Sequence, residues 1–253
     1  MTTLRHLEEL ALNALPALQD LHYDGGAALR RRRRRLSAPR HSIQLLYPST
    51  LPLDEKIDFC QAQYFARGSR TVFKMTLAAP AGLEAALLAR NYELTARPAY
   101  TLDLSSIEPQ PDPGAEVIIE PTMSDEWAAA NARLHGENPT RAAVINVILK
   151  RLAVESMFLR VCHDGETVAL GRGSLDHGWV GPYEVITDAC FRQQGFGRQV
   201  MQHILRWGID RGAHSAYLQV VAENQPARRL YERLGFREQY RYWYLQKYPP
   251  GSA

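Results

Sequence analysis

Apolar positions in this chain follow two rhythms, and their order predicts the architecture. Leu7, Leu10, Leu12 and Leu15 recur at helical spacing over residues 4–15, where Pro16 stops the run. Leu53, Ile57, Cys60 and Tyr64 form one stripe of a second helix over 54–66. A short strand is expected over 71–76, a helix over 82–90 and a strand over 100–104. Residues 104–114 then hold three prolines and a glycine with little that is apolar, the composition of a linker.

Beyond the linker a strand is expected over 116–120. Thr122 or Ser124 can cap a helix running to 134, and another helix covers 139–152. Strands over 157–162 and 167–171 flank His163, Asp164, Gly165 and Glu166, a strong hairpin signal. A strand over 178–187 leads into a helix with the stripe Phe196, Val200, Met201, Ile204, Leu205 and Ile209, ended by Gly212. A strand over 216–221, a helix over 226–234 closed by Gly235, and an alternating strand over 238–247 complete the chain. Such an order defines a mixed α+β fold.

Length and composition narrow the class. At 253 residues the chain suits two modest domains of roughly 100–200 residues each. No apolar run approaches the ~20 residues of a membrane span, so no membrane partner is expected. Acidic residues near the start argue against a secretory leader. Cys60, Cys162 and Cys190 are odd in number and far apart, which predicts no metal site and no disulfide framework and fits a reducing cytoplasm. A formal charge of +3 does not by itself imply nucleic acid. Six consecutive arginines over 30–35 could grip phosphates, but they read as a solvated, self-repelling loop. Residues 26–40 lack apolar alternation and read as an inserted or locally altered loop rather than half of a strand pair.

Candidate chemistry begins at Arg192, Gln193, Gln194, Gly195, Phe196, Gly197 and Arg198, a basic turn between a strand and a helix. The first turn of a helix has N–H groups without intrahelical partners and the positive end of the helix dipole. Glycines at 195 and 197 let a ligand approach that backbone, so a pyrophosphate is the natural occupant. A dinucleotide fingerprint would need a third glycine near Val200 and an early βαβ unit, and a Walker lysine is absent as well. Cys190 has no paired histidine and reads as core.

Further along, Asn224 stands at a strand end, and Tyr231 follows seven residues later on the same side of a short helix. With Ala227, Gly235 and Phe236 at these spacings, residues 116–247 resemble the GNAT superfamily of acetyl-CoA-dependent N-acetyltransferases. The resemblance implies tandem GNAT-like domains, each a mixed, mostly antiparallel twisted sheet flanked by helices. It implies that the amides of 193–198, with Arg192, hold the pyrophosphate of coenzyme A. Val185, Ile186 and Thr187 would bind the pantetheine arm at a strand that splays from its neighbour over 218–221. An N–H near Ile186 or Thr187 would steady the oxyanion. Asn224 and Ala227 would also contact the cofactor, although Asn224 could equally be a helix cap. Tyr231 would protonate the departing thiolate, or else only pack against Phe236. Glu184 is the candidate general base, on the same strand face as Ile186.

The helix and aromatic turn over 83–93 echo those over 230–237. Residues 1–106 are therefore expected to be a degenerate GNAT-like domain, 107–114 a linker, and 115–253 the catalytic domain. The expected partners are acetyl-CoA and a primary amine, with a small molecule favoured over a protein N-terminus or lysine. A non-catalytic acyl-CoA-binding module is the alternative reading. The aromatic strand over 239–245 could pair with a second copy in a homodimer or lie against the first half of the chain.

Overall fold

The computed structural model describes residues 4–24, 27–31, 42–45, 47–112, 114 and 116–251. Helix α1 (Leu4–Ala14) is followed by strands β1 (Gln19–Tyr23), β2 (Ala27–Arg31) and β3 (Ile43–Leu45). Helix α2 (Leu53–Phe65), β4 (Thr71–Met75), α3 (Leu83–Ala89) and β5 (Glu93–Asp103) come next. Beyond the linker run β6 (Glu116–Glu120), α4 (Asp125–Leu134), α5 (Pro139–Leu149), β7 (Glu155–His163), β8 (Glu166–Asp176) and β9 (Trp179–Thr187). Helix α6 (Phe196–Asp210), β10 (Ser215–Gln219), α7 (Gln225–Arg233) and β11 (Arg237–Lys247) close the chain.

Among the described residues, eleven strands join one sheet in the order β1-β2-β3-β4-β11-β5-β10-β9-β8-β7-β6, and only β3/β4 and β9/β10 are parallel pairs. Each parallel pair is linked by a crossover helix, α2 or α6. Each crossover is followed by a short helix and a long strand: α3 and β5 in the first half, α7 and β11 in the second. The two long strands pair antiparallel at the centre. There β5 lies against β10 and β11 against β4, so each half completes its sheet with the other's last strand.

Helices cover both faces. Strand alternation turns Gly171 and Gly173 toward α6, and Leu170 and Arg172 toward the opposite face. On the first face Val200, Ile204 and Leu205 of α6 and Tyr231 of α7 pack on Tyr100, Leu102, Ala169 and Val180. On the second, Leu7 and Leu10 of α1 pack on Val72, Trp179, Tyr217, Tyr240 and Tyr242, and Trp127 and Ile145 of α4 and α5 pack on Phe158 and Leu170.

Several expectations need correction. Residues 27–31 are strand β2, paired with β1 from Tyr23↔Ala27 to Gln19↔Arg31, so Arg30 and Arg31 of the arginine run belong to the sheet. The rest of that run, 32–35, lies outside the described residues. Backbone pairing on both sides, including Leu29↔Ile43, imposes the strand despite its unfavourable composition. Strand β5 begins at Glu93, seven residues before the expected start, because β11 offers a ladder along its whole length. Both edges of β11 are used within the chain, which removes that strand as a pairing edge for a second copy. The linker is not free. Gln202 and Gln199 accept from the amides of Gln110 and Asp112 at 2.8 and 2.9 Å, and Arg206 donates to Pro109 O at 2.8 Å, strapping the segment along α6.

Candidate active site

Helix α6 sits unusually close to the sheet. A Cβ on Gly171 would lie 2.5 Å from Val200 Cγ1, and one on Gly208 would lie 2.7 Å from Val180 Cβ. Glycine on β8 and on the helix itself therefore lets α6 approach, and the approach fixes where its N-terminus points.

That N-terminus follows a short 3-10 turn, Ala189–Phe191, capped by the Asp188 carboxylate, which accepts from Cys190 N at 3.0 Å. This bond, chief among several, holds the Asp188 carboxyl below the usual carboxylate range, with the Arg133 guanidinium assisting. Gln193 and Gly195 take left-handed conformations, with φ of +63° and +91°. The first carbonyl of the helix to accept is that of Gly195, from Gln199 N at 3.0 Å. Among the described residues, no group accepts from the amides of 193–198. Arg192 and Arg198 are exposed beside them. Six amides, two guanidinium groups and a helix dipole converge at this turn, an arrangement whose electrostatics favour an anion. Open space surrounds Gly195, whereas Gly197 is close-packed: its Cβ would stand 3.3 Å from Thr187 Oγ1 and 3.6 Å from Leu230 Cδ2. The turn, the end of β9 and helix α7 thus meet at Gly197. Phe196 anchors the turn against Phe191 and His163, with ring centroids 6.0 and 5.7 Å away. Cys190 is exposed and does not belong to the core, because the 3-10 turn carries it past the end of β9.

A slot opens below the turn. Parallel pairing of β9 with β10 is confined to Trp179↔Ser215 and Val180↔Ala216. Burial changes at the same place: β9 is buried over 179–182 and half-buried over 183–187. A register shift between Leu170↔Ile186 and Arg172↔Tyr183 places one extra residue on β9. Glu184, with φ of +52°, lies in this bulge. It stands 3.8 Å from His135 Nε2 at the end of α4, while Ile186 packs with the Trp127 cluster that α4 and α5 cover, so the two share the α4 side of the sheet. Val185 faces α6, 3.5 Å from the Cβ position of Gly171. Asp188 N donates to Val168 O at 2.8 Å, making that pair a hydrogen-bonded one. Ladder alternation then directs the Ile186 amide to β8 and the Thr187 amide toward the slot. Of the two oxyanion candidates, only Thr187 has an amide free to serve.

Helix α7 forms the far wall. Asn224 is its N-cap, accepting from Ala227 N at 3.3 Å. Tyr231 is 9% exposed, with its ring edge-on to Phe236 at 6.0 Å. Burial pushes its hydroxyl up to about 12, so it keeps its proton at neutral pH. Sequence reasoning missed the groups that hold this wall. Arg228 Nε donates to Tyr100 Oη at 2.8 Å, and its Nη1 reaches Ala222 O at 3.4 Å, which ties the loop before α7 to β5 of the first half. His135 was missed as well, since nothing in the spacing of residues 135 and 184 announces their contact.

Two parallel strands that splay below an open helix N-terminus define the GNAT class of acetyltransferases. The chain belongs to the family described as "Probable histone acetyltransferase Rv0428c C-terminal", whose model matches residues 2–245. It is 27% identical over 176 residues to the uncharacterized N-acetyltransferase YobR of Bacillus subtilis, covering 68% of this chain and 71% of that protein. Over 153 residues it is 32% identical to a mycothiol acetyltransferase of Nocardiopsis dassonvillei, covering 53% of this chain and 46% of that one. Among solved structures, a GCN5-related N-acetyltransferase from Kribbella flavida superposes with a TM-score of 0.72 at 18% identity, covering 99% of this chain and 97% of its own. A tandem GNAT protein of the clavulanic acid biosynthesis pathway gives 0.64 at 15%, covering 81% and 73%. The protein is an acyltransferase of the N-acetyltransferase type. No helix among the described residues is long and apolar enough to cross a membrane.

Proposed function

We propose that this protein transfers the acetyl group of acetyl-CoA to the primary amine of a small molecule in the cytoplasm, by direct attack within a ternary complex. The observation that carries the reading is the row of amides over 193–198 without acceptors among the described residues. These amides, with Arg192 and Arg198, would hold the diphosphate. The half-buried edge of β9 from Val185 to Thr187 would pair with the amides of the pantetheine arm, with Ala227 and the exposed Asn224 on the opposite wall. Acetyl-CoA supplies an activated thioester. The Thr187 amide would donate to its carbonyl oxygen as negative charge develops there. In the transfer, the nitrogen–carbon bond forms as the carbon–sulfur bond breaks. Glu184 accepts the proton released by the amine, and the Tyr231 hydroxyl gives its proton to the thiolate. Residues 1–106 would act as a degenerate copy of the fold whose β5 buttresses the working half.

A second acceptor, a lysine side chain, is favoured by the words "histone acetyltransferase" in the family description. Calorimetry with acetyl-CoA, followed by thiol-release assays over small amines and lysine peptides, tests both readings. Turnover on small amines supports the first and turnover on peptides alone supports the second. Failure to bind acetyl-CoA would remove the reading altogether.

A further inference from the structure

The closed end of the slot has a construction of its own. Immediately above the last paired residues of β9 and β10, Tyr183 and Tyr217 lean together, and their hydroxyls are hydrogen-bonded to each other. The rings meet edge to face with centroids 6.2 Å apart. Room for them comes from Gly181, where a Cβ would lie 2.8 Å from Tyr183 Cε2 and 3.0 Å from Tyr217 Cε1. From beneath, the Arg172 guanidinium sits 4.7 Å from the Tyr183 ring centroid. Arg172 is fully buried, fixed by its bonds to Ala14 O at 2.8 Å and to the Ser174 hydroxyl. Trp179 closes the side, its ring 6.4 Å from that of Tyr217. The rings are pinned from below and from the side, so neither can withdraw to deepen the slot. Tyr183 is half-buried, in contrast to Tyr217 at 4% exposure, and it adjoins the bulge where β9 leaves its partner. Glu184, the next residue, lies in the bulge beside His135.

From this arrangement we infer that the Tyr183–Tyr217 pair is the floor of the acyl pocket and restricts this protein to acetyl and similarly short acyl thioesters. The inference rests on the acyl-transfer reading given above. A thioester held by the turn and by Thr187 would point its acyl group down the slot toward the paired rings, which would stop a longer chain. One hydroxyl donates to the other in a single hydrogen bond, and burial raises both above the ordinary tyrosine value. Arg172, Gly181 and Trp179 act through the rings as positioning residues.

The test is a chain-length profile with acetyl-, propionyl-, butyryl- and hexanoyl-CoA, read both as kcat/KM and as calorimetric affinity. The wild type should lose about tenfold or more in kcat/KM for each methylene beyond acetyl, the low end of what a filled pocket imposes. Tyr183→Ala should accept butyryl-CoA at least about tenfold better relative to acetyl-CoA than the wild type does. Tyr183→Phe keeps the ring and should keep the wild-type profile. If Tyr183→Ala does not fold, Tyr183→Leu replaces it and is judged by the same outcomes. A wild type that uses butyryl-CoA as well as acetyl-CoA, or a folded Ala variant with an unchanged profile, would overturn the floor while leaving acetyl transfer intact. Failure of the wild type to bind any acyl-CoA would overturn both.

Discussion

Two turns in this molecule occupy equivalent places, and they treat their amides in opposite ways. The turn before α2 and the turn before α6 each start the helix that connects a pair of parallel strands. At α2 the chain supplies its own anion. The Asp24 carboxylate accepts from the amides of Thr50 and Leu51 at 3.0 Å and from the Ser49 and Thr50 hydroxyls. Lys56 closes over it at 3.5 Å, and the pair is almost wholly buried, at 4% and 8% side-chain exposure. At α6 nothing among the described residues plays that part, and the amides stay open beside Arg192 and Arg198. One backbone device is thus filled by the chain itself in the first half and left open in the second. The difference is a single carboxylate delivered from the β1–β2 turn.

The largest effect should come from making the second turn like the first. Gly195→Glu brings a carboxylate to the open amides and adds a side chain at φ +91°. Affinity for acetyl-CoA should fall at least about a hundredfold, or ~3 kcal/mol, by calorimetry. Gly195→Ala, which carries only the conformational cost of ~1–2 kcal/mol, should retain binding. Unchanged affinity in the Glu variant would mean that the diphosphate binds elsewhere.

Tyr231→Phe should lower kcat by about a hundredfold while leaving acetyl-CoA affinity nearly intact. Because burial raises this hydroxyl to about 12, any alkaline loss of rate that it causes should fall near that value rather than at ~10. A parallel loss of affinity would instead make Tyr231 a packing residue beside Phe236.

Glu184→Gln should slow turnover about tenfold or more and flatten the acidic limb of the pH–rate profile. Survival of that limb would leave the proton to another group, with His135, 3.8 Å from Glu184, first in line.

The smallest effect is expected on the first turn. Asp24→Asn should lower the melting temperature and leave acetyl-CoA affinity unchanged. Hydroxyl and amide donors, Ser49 first, hold the Asp24 carboxyl well below the usual range. A depressed pKa stabilises the fold above the unfolded value of ~3.9, and that contribution is lost as pH falls through the folded value. The gap in melting temperature between wild type and variant should therefore narrow in acid. A gap that is constant with pH would show that the carboxylate's charge is not what the α2 turn requires.

Much of this molecule was legible before its structure. Among the described residues, periodicity located α1 to α7 within a few residues, helped by buried stripes such as those of α1 and α6. The glycines at 195 and 197, Asn224 and Tyr231 stood out as candidates because they fall at short local spacings. The β1–β2 hairpin escaped notice because two of its residues are arginines, and pairing partners, not composition, hold it in the sheet. Cys190 was misplaced for a related reason: its apolar character says core, but a capped turn carries it to the surface.

By itself, the sequence determined most of the elements, the glycine turn that opens α6 and the class of chemistry, since helix and strand periods and helix-start glycines act over a few residues. Only the tertiary structure decided which strands are neighbours. Strands β5 and β11 have the same length and follow similar short helices, and nothing within either announces that it lies in the other half's sheet. The bulge at Glu184, the contact with His135 and the bond from Arg228 to Tyr100 are likewise products of packing. These contacts join residues far apart along the chain. Their energies depend on where whole elements come to rest, and no local pattern encodes that.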